Sequence, residues 1–237
     1  MPTLVLLPGM DGTGVLFADF VAAIRPEFRS IVVAYPNDPK LGYPELEPLV
    51  RAALPQDQPF ILLGESFSGP IAISIAASNP SGLLGLILCC TFARRPHPLL
   101  PLATAAIKPL PAACVPAFIQ HRNLFGRFDS PRLRAQLAQV RGLVSPNTLK
   151  SRLEAVAHAD VSDELRRVAV PILDLRAKRD RIVSRASGDY IRKIRPDAKV
   201  ADLDAPHLLL QAVPQEALSV IKNFASECMK TADKSNS

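Results

Sequence analysis

Apolar residues in the first part of this chain come in short continuous runs rather than in alternation, and stretches with helical spacing lie between them. Thr3–Leu7, Ser30–Tyr35, Pro59–Leu63 and Leu83–Thr91 are the runs; Phe17–Ile24, Tyr43–Leu54 and Gly69–Ser78 are the helical stretches. A strand that is apolar on both sides must be covered on both faces, as in a parallel sheet wound with helices. From His97 to Val168 no strand pattern is visible. Helices are predicted instead over Leu99–Lys108, Cys114–Phe125, Pro131–Gly142 and Asn147–His158, separated by prolines and glycines. Strand–helix alternation resumes with Val170–Arg176, Ser187–Ile194, Lys199–Leu203 and Pro214–Cys228, and the polar stretch Lys230–Ser237 is expected to fray. The prediction is one α/β core made of residues 1–96 and 169–229, a helical insertion over 97–168, and a flexible tail over 230–237.

Composition adds little to this picture but narrows the function. With 237 residues, 48% hydrophobic and 21% charged, the chain can bury a substantial core. The net charge of +6 raises the question of nucleic acid. No zinc-ligand spacing, RNP-like aromatic run or basic heptad region accompanies it, so nucleic-acid binding is not expected. Cys89, Cys90, Cys114 and Cys228 have no CxxC spacing, and the first two lie in an apolar run; they read as buried thiols in a reducing compartment. The N-terminal stretch has neither a basic region nor a long apolar one, and no segment reaches the roughly 18 apolar residues of a membrane span. The expectation is a cytoplasmic protein without a membrane span.

Chemistry concentrates where the predicted strands end. Gly64-Glu65-Ser66-Phe67-Ser68-Gly69 lies between a strand and a helix, at the carboxyl edge of the sheet where functional loops gather. A serine in that turn has its hydroxyl pushed clear of the backbone, and small neighbours two before and two after let strand and helix approach. Here Ser68 stands at the fifth place, where glycine is usual. The competing reading is a chance Gly-x-Ser-x-small turn, so the surroundings decide. The first strand leads into Pro8-Gly9-Met10-Asp11-Gly12-Thr13-Gly14, whose Met10 N–H, with that of Phe67, is placed to hold a developing oxyanion. A phosphate-binding loop is the rival explanation, but neither Gly-Lys-Ser/Thr nor GxGxxG spacing follows. Past the insertion, Asp180 lies just beyond a strand end, where an ordinary ion pair with Arg179 or Arg181 would also explain it; Asp174 is within the strand and fits less well. His207, after a strand and before an apolar helix, is the one histidine of four that follows this acid in the order Ser…Asp…His.

Taken together, Leu-Pro-Gly-Met-Asp-Gly, Gly-Glu-Ser-Phe-Ser-Gly, the Asp180 loop and Pro-His-Leu make the chain resemble the α/β-hydrolase superfamily over nearly its whole length. The resemblance implies that Ser66 is the nucleophile, His207 the general base and Asp180 the residue that orients it, with Met10 and Phe67 supplying the oxyanion N–H groups. The insertion resembles the lid of small carboxylesterases, including pimeloyl carrier-protein methyl ester esterases. Its residues Leu99, Phe118 and Leu124 are candidates to line an acyl pocket. The family usually has two strands before the oxyanion strand, and this sequence begins at that strand. A mostly parallel sheet of about six strands is therefore expected, with Ser30–Tyr35 at an edge.

The implied activity is cleavage of a carboxylic ester through an acyl-enzyme, on a small-molecule substrate, with no metal or organic cofactor. Thioester cleavage and acyl transfer are chemical neighbours on the same intermediate, and a hydrolase-like ligand receptor is the alternative from another class. Residues 97–168 hold ten Lys and Arg against five Asp and Glu, which suggests either a solvated surface or an acidic partner such as an acyl carrier protein.

Overall fold

In a computed structural model, which describes residues 1–56, 58–102 and 123–235, the apolar runs become a six-stranded sheet. The strands are β1 (Thr3–Leu7), β2 (Ser30–Val32), β3 (Phe60–Glu65), β4 (Leu83–Cys89), β5 (Ile172–Ala177) and β6 (Lys199–Leu203). Their order is β2-β1-β3-β4-β5-β6, and every neighbouring pair is parallel. The core helices are α1 (Ala18–Ile24), α2 (Tyr43–Ala52) and α3 (Gly69–Ala77). Every residue of β1 and β3 is buried, as continuous apolar runs require. Alternate side chains serve two cores. Val5, Leu7, Leu62, Leu86 and Leu88 pack against Leu46, Val50, Ile71 and Ile75 of α2 and α3. Leu4, Leu6, Ile61, Leu63, Ile87 and Cys89 pack on the opposite face with Phe20, Ile24, Ile221 and Phe224.

The described part of the insertion contains α4 (Pro131–Leu143), α5 (Pro146–His158) and α6 (Ser162–Arg167). The first two start with the same grammar. Ser130 and Ser145 accept hydrogen bonds from Leu133 N and Thr148 N, and proline occupies the first helical position of each. The chain leaves and re-enters the core through a narrow neck: Arg95 N donates to Ala159 O and Val161 N to Ala93 O, at 2.8 Å each. By its sequence α6 was counted with the insertion; its Leu165 and the following Val168 instead join the main core cluster beyond that neck. A small apolar cluster of Leu16, Phe125, Leu133, Leu137, Val140 and Leu208 seats α4 against the loop after β1 and the residue next to His207. Much of the expected helices Leu99–Lys108 and Cys114–Phe125 falls outside the described residues.

The C-terminal part adds α7 (Arg185–Ile194), α8 (Leu209–Ala212) and α9 (Pro214–Ser235). Helix α9 corrects the expectation of a tail beginning at residue 230, because the polar residues after Cys228 continue its turns. Among the described residues, no helix is long and apolar enough to cross a membrane.

Candidate active site

Ser66 follows β3 at once and has φ of +51°, in the left-handed region that non-glycine residues seldom occupy. The strain belongs to the turn: a parallel strand must reverse into α3 within a few residues. A Cβ on Gly64 would sit 2.8 Å from both Ala72 Cβ and the Ser68 carbonyl, so only glycine lets strand and helix approach this closely. The Thr91 hydroxyl donates to the Ser66 carbonyl from the end of β4 and holds the reversal.

Residues far apart in sequence meet at the Ser66 hydroxyl. His207 Nε2 lies 2.9 Å from Ser66 Oγ. On the other side of the ring, His207 Nδ1 is 2.8 Å from Asp180 Oδ2. The second oxygen of Asp180 accepts from Ile182 N at 2.8 Å and Val183 N at 2.9 Å, which fixes the carboxylate. With its Nδ1 proton directed at Asp180, the imidazole leaves Nε2 to accept from the serine. The other acids are engaged elsewhere. Asp174 is bonded to Arg176 Nε at 2.6 Å, and Asp204 takes Arg179 at 2.6 Å together with Arg127. Of the two arginines that would also explain Asp180, Arg179 pairs with Asp204 instead.

The Pro8–Gly12 loop faces this serine: a Cβ built on Gly9 would stand 4.0 Å from Ser66 Cβ. Phe67 is the buried middle residue of the 3-10 turn Ser66–Ser68, directly ahead of α3. Of the three candidate pocket residues, Leu124 lies beside the site, and its carbonyl accepts from Leu208 N at 3.5 Å. Leu99 is 58% exposed, and Phe118 lies outside the described residues.

Ser68 does more than fit in a glycine's place. Its hydroxyl donates to the buried Pro8 carbonyl and lies 2.6 Å from Tyr35 Oη, which joins the serine turn to the first loop. Sequence reasoning missed Tyr35, and nothing in its apolar surroundings would have marked it. Arg152, fully buried, was also missed; its signal was a cation in phase with Thr148 and Val156 on the buried face of α5. Glu65, beside Ser66, is buried and accepts from Gln211 Nε2 at 3.1 Å. Burial raises its pKa from 4.5 to about 7, opposed by that hydrogen bond and by His207.

The Glu65 shift has a direct consequence for stability. The folded chain binds this proton more tightly than the unfolded one, so the burden is absent below about pH 4.5 and grows as pH rises through 7. At about 1.4 kcal/mol per unit, the full effect approaches roughly 3 kcal/mol. Glu65→Gln should therefore be more stable than wild type in denaturant titrations at pH 8, with the gain shrinking toward pH 4.5. A gain that does not change with pH would reject a buried titrating carboxyl.

The thiols of Cys89 and Cys90 are free and buried, as expected of structural thiols, and so is that of Cys228. Cys114 lies outside the described residues. No group of side chains able to hold a metal ion occurs among the described residues.

Comparison with known proteins gives a consistent placement. The Hydrolase_4 family model, described as serine aminopeptidase, S33, matches residues 48–206. A pimeloyl-[acyl-carrier protein] methyl ester esterase from Aeromonas hydrophila is 27% identical over 94% of this chain and 95% of its own length. A stretch of 111 residues is 37% identical to phytyl ester synthase 1, chloroplastic, from Arabidopsis thaliana, covering 43% of this chain and 16% of that protein. Among solved structures, a thermophilic esterase from Thermogutta terrifontis superposes with a TM-score of 0.78 at 19% identity, over 96% of this chain and 90% of that one. The last likeness concerns the fold.

Proposed function

The chain belongs to the serine aminopeptidase S33 family of α/β-hydrolases, and from that premise we propose that it hydrolyses carboxylic esters at Ser66. The observation that carries the reading is a left-handed serine whose hydroxyl lies 2.9 Å from His207 Nε2, with Asp180 behind the ring.

The chemistry runs in two halves. Ser66 Oγ attacks the ester carbonyl while His207 Nε2 takes its proton; alone, the hydroxyl is too weakly acidic to react at neutral pH. Asp180 holds the ring in the reactive tautomer and stabilises the imidazolium. The carbonyl oxygen becomes an anion, which Met10 N–H and Phe67 N–H receive; one such donor is worth about 3–4 kcal/mol in the transition state. As the intermediate collapses, the imidazolium protonates the departing alcohol. Water, deprotonated by His207, then attacks the acyl carbonyl; as the bond to Ser66 Oγ breaks, the imidazolium returns the proton to that oxygen and the acid leaves.

In this reading the segment from His97 to the neck at Ala159–Val161 forms a lid over the acyl group, with Leu124 beside the site through its bond to Leu208 N. The full-length likeness to a carrier-protein methyl ester esterase supports an acyl carrier substrate, and the basic excess of residues 97–168 fits an acidic partner. Part of that charge is spoken for, because Arg132 pairs with Asp19 and Arg134 with Asp129. Both side chains still remain more than half exposed. Steering by exposed charges is screened beyond roughly 10 Å at 0.1 M salt. Hydrolysis of a carrier-bound methyl ester should slow several-fold between 0.05 and 0.5 M salt (ionic strengths on either side of that regime), while p-nitrophenyl butyrate is barely affected. Equal salt sensitivity for both substrates would reduce the lid charge to a matter of solubility.

A second reading, acyl transfer to an alcohol, has one observation in its favour, the local 37% identity to phytyl ester synthase 1. It uses the same acyl-enzyme, with an alcohol taking the place of water. Ester formation from added long-chain alcohol, measured against free acid release, separates the two.

A further inference from the structure

We propose that Arg152, from helix α5 of the insertion, is a positioning residue for ester cleavage: it holds the Pro8–Gly12 loop so that Met10 N–H stays aimed at the oxyanion. This rests on the ester-hydrolase reading above. Arg152 has no solvent exposure. Its Nη1 donates to the carbonyls of Met10 at 2.9 Å and Asp11 at 2.7 Å, and its Nη2 donates to that of Pro36 at 2.9 Å. Its guanidinium also lies over the Tyr35 ring, 5.7 Å from the centroid.

The peptide that carries the Met10 N–H is pinned on all sides. Its own carbonyl, that of Gly9, accepts from Gly12 N at 3.0 Å. In a planar trans peptide the N–H of Met10 must then point the opposite way. The carbonyl before it, Pro8, takes the Ser68 hydroxyl, and the carbonyl after it, Met10, takes Arg152. Rotating the Gly9–Met10 peptide would break one of these three bonds. Gly12 allows the arginine to come this close: its φ is +71°, and a Cβ there would lie 2.4 Å from Arg152 Nη1.

Filling this space with an arginine carries a desolvation cost, offset by the three carbonyls it satisfies. Desolvation lowers the Arg152 pKa, and its Nε has no hydrogen-bond partner among the described residues. An apolar residue could fill the same space without burying a charge. What an apolar residue cannot do is hold three carbonyls from two loops at once. The bonds also make the site depend on the insertion, since α5 must be seated for the loop to be held.

The test compares Arg152→Lys and Arg152→Met with Asn37→Ala. Asn37 ties the α4–α5 turn down through bonds to Leu143 O, Ser145 N and the Thr148 hydroxyl, and touches neither Met10 nor Asp11. For p-nitrophenyl butyrate, both Arg152 variants should lose about 10- to 100-fold in kcat with KM changed less than about threefold, because a misaimed donor is felt in the transition state and not in ground-state binding. The inhibition constant of a matching trifluoromethyl ketone, which presents an oxyanion to the site, should rise by the same factor. Asn37→Ala, which loosens the seating of α5 without removing a bond to the Met10 loop, should stay within about twofold of wild-type kcat whatever it costs in melting temperature. Should Arg152→Met not fold, Arg152→Lys carries the comparison. Wild-type kcat in Arg152→Lys overturns the proposal, as does a kcat loss that tracks melting temperature in Asn37→Ala as well. If instead Ser66→Ala retains turnover, the ester-hydrolase reading itself has failed.

Discussion

Replacing Ser66 with alanine should leave a folded protein whose ester turnover has fallen by at least about three orders of magnitude. Removing one member of a nucleophile–base–acid unit removes the covalent route as a whole, and only binding and the oxyanion donors remain. Ser66→Gly should be as inactive and should melt no lower than wild type, because glycine adopts a φ of +51° without strain. Ser68→Ala is the discriminating control. It leaves the Pro8 carbonyl and Tyr35 Oη without their partner, at a cost of about 1–3 kcal/mol in stability, but the Ser66 hydroxyl is still present. Turnover of p-nitrophenyl esters together with thermal melts reads both effects. An active Ser66→Ala beside an inactive Ser68→Ala would reassign the nucleophile.

Asp180→Asn should lower kcat by about four orders of magnitude while KM changes little. The amide would present an N–H or a weaker acceptor to His207 Nδ1, favouring the wrong tautomer and no longer supporting the imidazolium. The acids that looked like rivals in the sequence should behave differently. Asp204→Asn loses only solvent-exposed ion pairs with Arg127 and Arg179 and should be close to silent. Asp174→Asn disturbs a buried pair with Arg176 and should reduce stability rather than chemistry. Comparable kcat losses in Asp174→Asn and Asp180→Asn would deny Asp180 its special place.

The strands of the sheet interior were legible because burial on both faces forces continuous apolar runs. Where burial and pairing part company, the pattern misleads. Val33 and Tyr35 are buried and extended the expected edge strand, yet β2 stops at Val32 and the chain goes on as a loop over the core. At the end of β3 the opposite occurs: Gly64 and Glu65 look like a turn but pair with Leu88 and Cys89. The serine, histidine and acid were readable because each sits at a punctuated strand end. Tyr35, Ser68 and Arg152 were not, because what matters about them is a hydrogen bond to a distant segment. Arg152 came nearest to being visible, as a charge on an apolar helix face.

The span of those hydrogen bonds also bears on how the protein folds. Ser66 meets His207 across 141 positions, and Arg152 reaches Met10 across 142. Closing loops of that length costs entropy that only later packing returns, so contacts between distant segments form late. On a ribosome the strands β1, β3 and β4 and their helices can associate well before the segments bearing Arg152 and His207 have emerged. A partly synthesised chain would thus hold a formed serine turn in contact with neither His207 nor Arg152, and the cluster would be complete only with the last third of the sequence.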